Sequence, residues 1–236
     1  MLSIFSRTEL LVGKTNLDHL QKQHVAIFGV GGVGGNCIEA LARTGIGEIT
    51  IVDHDIVSLT NLNRQIIALH STIGKSKVEV MKTRLLEINP AIKIHALATF
   101  LDKETIHTID FHAFDYVVDA IDTISAKLLL IEKCHALDIP LISCMGIGNK
   151  LVSDGLCITT IEKTSYCPLA KVMRHELKKR SIHKVEVLYS PLKPLKPLKS
   201  TETSEKREVP GSICYVVNIA GLMLAENVIH NILKIR

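Results

Sequence analysis

The sequence predicts an α/β fold: a Rossmann-like, doubly wound and mainly parallel sheet with a C-terminal extension containing a mobile basic loop. Three observations carry that prediction. Strand-like apolar runs alternate with segments of helical apolar spacing from His24 to Gly146, the pattern of a parallel sheet covered by helices. Between the first strand and the first helix lie five glycines in seven positions, Gly29, Gly31, Gly32, Gly34 and Gly35, which leave a backbone bare for phosphate. The 236 residues are 47% hydrophobic without a tryptophan, enough for an aliphatic core that needs no staples.

Each element follows in order. "HVAIFGV" (24–30) is a buried strand entering the glycine turn, and "GNCIEALARTG" (35–45) is the next helix, stopped by Gly45. "EITIVD" (48–53) is a strand ending on Asp53. "KSKVEVMKTRLLEIN" (75–89) has helical spacing and closes at Asn89-Pro90, because a residue before proline avoids the helical region. "AIKIHAL" (91–97) and the β-branched "DYVVDAID" (115–122) are strands. The helix "TISAKLLLIEKCHAL" (123–137) leads through Pro140 into the strand "PLISCMG" (140–146). Beyond Gly155 the alternation weakens, giving a strand at 155–164, a helix at 167–180 and a strand at 184–190. Residues 191–210, rich in Pro, Lys and Ser, have no apolar periodicity and are expected to be mobile. "SICYVVNIAGLMLAENVIHNIL" (212–233) returns to order as a strand or turn leading into a buried terminal helix.

Composition excludes several classes. "MLSIFSRTELLVGK" carries charges where the apolar part of a leader would sit. The stretch "ICYVVNIAGLMLAENVI" is broken by Asn218 and Glu226, short of the roughly 20 apolar residues of a spanning helix. A cytoplasmic protein with no membrane association is expected. None of the six cysteines forms a C-x-x-C pair and none of the eleven histidines an i, i+4 pair, so neither zinc nor another histidine-bound metal is expected. The net charge of +4 is unevenly spread, with Lys and Arg concentrated in 171–184 and 191–207. A solvated helix followed by a loop would explain this. An electrostatic footprint for RNA would explain it too, with Arg174, Lys178, Lys179, Arg180 and Lys184 on phosphates.

The glycine turn satisfies G-x-G-x-x-G through Gly29, Gly31 and Gly34, and Asp53 closes the next strand where a carboxylate accepts ribose hydroxyls. Up to this point NAD and ATP are equally served. "DHDIVSLTNLNRQ" (53–65) separates them: Asp55 adds a second carboxylate, and Asn61, Asn63, Arg64 and Gln65 follow. Arg64 is a strong phosphate ligand, Lys77 opens the next helix near enough to supply a second cation, and Asp122 ends its strand where it could hold Mg²⁺. Two cations, amide side chains and a metal carboxylate describe a triphosphate attacked at its α-phosphorus. A hydride-transfer site needs an apolar nicotinamide slot instead. Singly, Arg64 reads as a surface ion-pair partner, Lys77 as a solvated side chain and Asp122 as a helix N-cap. Their order on successive strand ends selects the ATP reading.

The glycine turn, "DxDxVxxxNLNRQ", "GKxK" and "DAIDT" together resemble the ubiquitin-activating-enzyme-like adenylyltransferases, the ThiF/MoeB/HesA superfamily. The resemblance implies Asp53 on the ribose, Asn61, Arg64, Gln65 and Lys77 on the phosphates, and Asp122 on magnesium. It also implies that Arg7, in "FSRTELLVG", reaches the ATP site of a neighbouring subunit, so that the working unit is a homodimer. "FSRTELLVG", "VEVMKTRLLEINP", "SCMGIGNKL" and "KTSYCPLAKVMRHELKKR" are similar to the narrower family of tRNA threonylcarbamoyladenosine dehydratases, which share the lack of paired zinc cysteines. That implies ATP-dependent cyclisation of a modified adenosine next to the tRNA anticodon. The threonyl carboxylate attacks the α-phosphate, pyrophosphate leaves, and the carbamoyl group of the same substrate closes a ring as AMP departs. On this reading residues 1–155 form the ATP-binding adenylation core. Residues 156–236 form the C-terminal part of the same domain, with a tRNA-facing helix.

Cys167, in "TSYCPLA", starts a helix, where a thiol pKa falls, so a chemically active and a structural cysteine both remain open. Lys150 in "GIGNKL" is a further substrate-side candidate. A monovalent cation (Na⁺ or K⁺) and a docking sulfur-acceptor protein are also left open, as is adenylation of a sulfur-carrier protein in place of tRNA.

Overall fold

Aliphatic runs buried on both faces pair in parallel and demand helices above and below. The computed structural model describes residues 3–198 and 210–235; residues 199–209 of the expected mobile loop lie outside the described residues. Strands β1 (His24–Phe28), β2 (Glu48–Val52), β3 (Lys93–Leu97), β4 (Tyr116–Asp119) and β5 (Leu141–Cys144) lie parallel in the order β3-β2-β1-β4-β5. Two later strands complete a sheet of seven: β7 (Glu186–Tyr189) runs parallel to β5, and β6 (Cys157–Thr160) closes the edge antiparallel to β7. Strand order reverses between β1 and β4, the position at which doubly wound sheets open a ligand crevice.

Helices α1 (Ser6–Val12), α2 (Lys14–Leu20), α3 (Gly32–Thr44), α4 (Lys77–Ile88), α5 (Ile124–Ala136), α6 (Pro168–Lys179) and α7 (Cys214–Leu233) complete the chain. Alternation along β1 divides the core. Val25 and Ile27 face Cys37, Ile38 and Leu41 of α3, Met81 and Leu85 of α4, and Ala220 and Leu224 of α7. Ala26 and Phe28 face Phe111, Phe114 and Leu130 of the opposite layer. A third cluster joins Ile131 of α5, Met173 and Leu177 of α6, and Val187 of β7.

Several boundaries differ from those expected. The glycine-turn helix begins at Gly32 rather than Gly35, since glycines at its first turn carry no side chain that could cap or obstruct it. β4 ends at Asp119, leaving Ala120–Asp122 as a short strap into α5. Residues before His24, for which no element was expected, form α1 and α2. The terminal segment enters its helix at Cys214, with no strand just before it among the described residues.

Helix α7 is, by length and a mean hydropathy of 1.4, apolar enough to cross a membrane, contrary to the reading of its sequence as too short. One face of it is buried, where Val216, Ala220, Gly221, Leu224 and Val228 pack inward, while Tyr215, Ile219 and Leu222 remain exposed. Residues 191–198 form neither helix nor strand, yet they are fastened to the body where the Leu195 N–H donates to the Asn149 carbonyl at 2.8 Å.

Candidate active site

The turn after β1 sits at the switch point. Gly29 has φ +99°, and a Cβ there would lie 2.6 Å from the Ala120 carbonyl, so only glycine satisfies both the conformation and the space. The Asp53 carboxylate pins the turn, accepting from the Val30 N–H at 2.6 Å and the Asp55 N–H at 2.8 Å. No side chain caps α3, so the N–H groups of its first turn remain available to an anion.

A cleft of about 290 Å³ opens here. Its wall gathers Gly29, Gly31, Gly32, Asp53, Asp55, Asn61, Arg64, Gln65, Lys77 and Asp122, ten of the expected site residues. Lys77 is 5% exposed and donates to Asp55 at 2.7 Å, so it is a buried, paired cation rather than a solvated one. Arg64 donates to the Thr60 carbonyl at 2.8 Å and to Asn63 Oδ1 at 2.9 Å. It has no carboxylate partner among the described residues, and its charge is left for a ligand. Asn61 Oδ1 accepts from the Ser58 N–H at 3.1 Å and shapes the turn that carries Arg64.

Gln65 is buried, and its Oε1 has no hydrogen-bond partner among the described residues. An orphaned buried acceptor asks for a donor, which a ribose hydroxyl or a metal-bound water supplies. The same lining includes the apolar Phe28, Val52, Leu101 and Ala126, which suit a purine. Asp122 is exposed and does not cap α5, whose N-cap is Thr123; its carboxylate accepts from the Thr123 hydroxyl at 3.3 Å. Asp53 and Asp55 bring ligand atoms within 4.8 Å of one another together with His54, and Asp122 has no cation partner among the described residues; such carboxylates suit Mg²⁺, an ion usually held by one or two of them beside substrate phosphates.

Some expected residues lie elsewhere. Gly34 does not line the cleft: a Cβ would run into the Gly29 carbonyl, so its role is close approach of helix and turn. Asn63 is outside the lining, its amide donating to the Ser212 carbonyl at 3.0 Å while its Oδ1 accepts from Arg64. Arg7, on α1, is exposed and lines neither cleft.

A second cleft of about 370 Å³ lies across the strap and contains Lys150 and Cys167. The Cys167 sulfur, 5% exposed, accepts from the Ala170 N–H at 3.5 Å and serves as the N-cap of α6. Lys150 is buried, which lowers its ammonium pKa, and it donates to the Leu192 carbonyl. The basic helix is less free than its composition suggests. Arg174 turns inward to the Thr164 carbonyl and hydroxyl, Lys179 pairs with Glu176, and Arg180 pairs with Glu132 and Glu176. Lys178 and Lys184 are exposed, with no ion-pair partner among the described residues.

Two groupings escaped the sequence. Asp119 and Lys127, both 0% exposed, form an ion pair of 2.9 Å behind the strap, with Ser143 donating to Asp119 at 2.5 Å. At the opposite end of the sheet, ligand atoms of His24, Glu48 and His95 lie within 4.8 Å of one another. These three come from different strands, and spacing along the chain held no signal for them.

The ThiF family model matches residues 5–236. The Bacillus subtilis tRNA threonylcarbamoyladenosine dehydratase is 42% identical over 99% of this chain and 96% of its own length. The Escherichia coli dehydratase is 38% identical over 74% of this chain and 65% of its own. The crystal structure of the E. coli enzyme in complex with ATP superposes with a TM-score of 0.89 at 31% identity, covering 98% of this chain and 93% of that one. A Haemophilus influenzae molybdopterin-synthase adenylyltransferase is 36% identical over 55% of this chain and 53% of its own. With a full-length family match and a relative similar from end to end, this chain belongs to the ThiF family, among its tRNA threonylcarbamoyladenosine dehydratases.

Proposed function

We propose that this chain dehydrates threonylcarbamoyladenosine in tRNA by adenylating the threonyl carboxylate with ATP. The observation that carries the chemistry is one cleft, at the sheet's switch point, where Arg64, Lys77 and Asp122 surround a glycine turn and an uncapped helix. Similarity to the B. subtilis dehydratase along nearly the whole of both chains supports the substrate.

In this reading ATP lays its adenine against Phe28, Val52 and Leu101, and its ribose between Asp53 and Gln65. The triphosphate crosses Gly29–Gly32 toward Arg64, with Lys77 held ready by Asp55. Mg²⁺, when bound, neutralises phosphate charge, and Asp122 is the residue that would hold it. The acceptor carboxylate arrives from the second cleft, whose wall shares Ala120, Ile121 and Asp122 with the first. Its oxygen forms the new bond to the α-phosphorus as pyrophosphate departs. The carbamoyl group then attacks the acyl-adenylate and AMP leaves. No step uses a protein nucleophile, in keeping with Cys167 as a buried cap.

The working unit is a homodimer in which Arg7 acts on the neighbouring copy's nucleotide. Ile4, Leu10 and Leu11 flank Arg7 and are 62%, 85% and 89% exposed, an apolar face that a second copy would cover. Lys178 and Lys184 are the tRNA contacts this geometry favours. The test is nucleoside mass spectrometry of modified tRNA incubated with protein and ATP. Loss of one water with stoichiometric AMP supports the reading. Unchanged nucleoside with adenylation of a sulfur-carrier C-terminus would replace it by the carrier-activating alternative.

A further inference from the structure

The wall between the two clefts is three residues long. Ala120, Ile121 and Asp122 are the residues the clefts have in common, and they connect the end of β4 to the start of α5. Such a connection has little regular structure to hold it. Ala120 donates its N–H to the Phe28 carbonyl of β1 at 2.8 Å. Ile121 is held from both ends by charged side chains: its N–H donates to Asp119 Oδ1 at 3.1 Å, and its carbonyl accepts from Lys127 Nζ at 2.9 Å.

Asp119 and Lys127 are completely buried and paired with each other at 2.9 Å. Ser143, on β5, donates to the same Asp119 oxygen that meets Lys127. A buried ion pair seldom adds stability beyond what apolar residues of the same volume would give, because both ions lose their hydration. Its presence behind the strap therefore calls for a role other than stability. The groups it touches supply one: both polar groups of the Ile121 backbone, one residue before Asp122.

We propose that Lys127, with Asp119 and Ser143, is a positioning unit that clamps the 120–122 strap and so fixes Asp122 between nucleotide and acceptor. This rests on the adenylation reading of the first cleft. Lys127 lines neither cleft and acts only through the strap. Loss of the clamp lets the strap drift, and a misplacement of ~1 Å at a reacting centre costs about 100-fold in rate. The lining of the opposite wall holds ATP without Mg²⁺, so the loss falls on kcat and on the Mg²⁺-dependent part of ATP binding.

The experiment compares wild type, Lys127→Met, the double variant Asp119→Asn/Lys127→Met, and Ser143→Ala. Lys127→Met alone strands a buried carboxylate and lowers Tm. The double variant removes both charges and restores Tm, yet nothing donates to the Ile121 carbonyl. The expected result is a double variant with near wild-type Tm, unchanged affinity for ATP in the absence of Mg²⁺, and kcat for AMP release down about 100-fold. ATP affinity measured by titration with and without Mg²⁺ supplies a readout independent of turnover. The affinity gain from Mg²⁺ should shrink in the double variant, as it should in an Asp122→Asn control. Ser143→Ala keeps the ion pair and folds, and should show a smaller kcat loss of the same kind. A double variant with restored Tm, full kcat and a full Mg²⁺ response overturns the proposal, and so does Ser143→Ala with unchanged kcat if the double variant fails to fold. Wild type that releases no AMP from modified tRNA refutes the adenylation reading instead, and the Mg²⁺ titration still tests the clamp.

Discussion

Replacing Gly221 by Ala tests how the terminal helix sets the position of the nucleotide turn. Gly221 lies in α7 where it crosses α3. A Cβ there would come 2.9 Å from Asn36 Cβ and 3.1 Å from the Cys37 nitrogen, and nearer still to the Val33 carbonyl oxygen. Ordinary carbon contacts are about 3.5–4.0 Å, so the helices must separate by roughly 1 Å. Two of the three obstructing atoms are main chain and cannot rotate aside, which places the overpacking cost near the top of the ~1–3 kcal/mol range. Alanine returns about 1 kcal/mol of helix propensity. The net expectation is a loss of about 2 kcal/mol, or a fall in Tm of about 4–8 °C for a chain of this size. Since α3 begins at Gly32 in the nucleotide cleft, its displacement should also weaken ATP. Urea unfolding and ATP titration of wild type and Gly221→Ala measure both quantities. A variant as stable as wild type with the same ATP affinity would refute the reasoning, since propensity would then outweigh contact.

Mixing subunits carrying Arg7→Ala with subunits carrying Lys77→Ala should restore one working site per heterodimer; purified heterodimers with no recovered AMP release would show that Arg7 does not act in trans. Lys178→Ala/Lys184→Ala should reduce the slope of log K against log salt for tRNA binding by about 1–2 with ATP affinity unaltered, and an unchanged slope would move the RNA surface elsewhere. Arg174→Ala should instead lower Tm, because it frees Thr164; a Tm equal to wild type would contradict that structural role. Burial lowers the His24 imidazole pKa, the neighbouring charges being Glu48, His95 and Asp115. The unfolded chain therefore takes up the proton first, and stability should be lost as pH falls through and below about 6.5. His24→Gln should blunt that loss in urea midpoints between pH 7.5 and 5.5, and an equal loss in both proteins would remove His24 as its source.

Much of the fold and nucleotide cleft could be read from the chain because the determinants are local. The runs at 24–30 and 48–53 become strands through their own apolar content, and consecutive glycines mark a phosphate turn wherever they precede a helix. Gly29 and Asp53 follow strand ends and Lys77 opens a helix, and a parallel sheet brings all such ends to one edge, which Arg64 reaches from a turn and Asp122 from the strap. Tertiary structure decided what depends on partners distant in sequence. Asn63 leaves the cleft because Ser212, far along the chain, offers it an acceptor. Arg174 and Arg180, alike with Lys178 in the sequence, are claimed by Thr164, Glu132 and Glu176. Lys77, which alone reads as solvated, is buried against Asp55. Lys127 reads as one polar position in an apolar helix, and only the folded sheet sets it beside Asp119 and the Ile121 carbonyl. A charge can be counted in a sequence, but whether it meets water, a counter-ion or a backbone carbonyl depends on which distant segments fold against it.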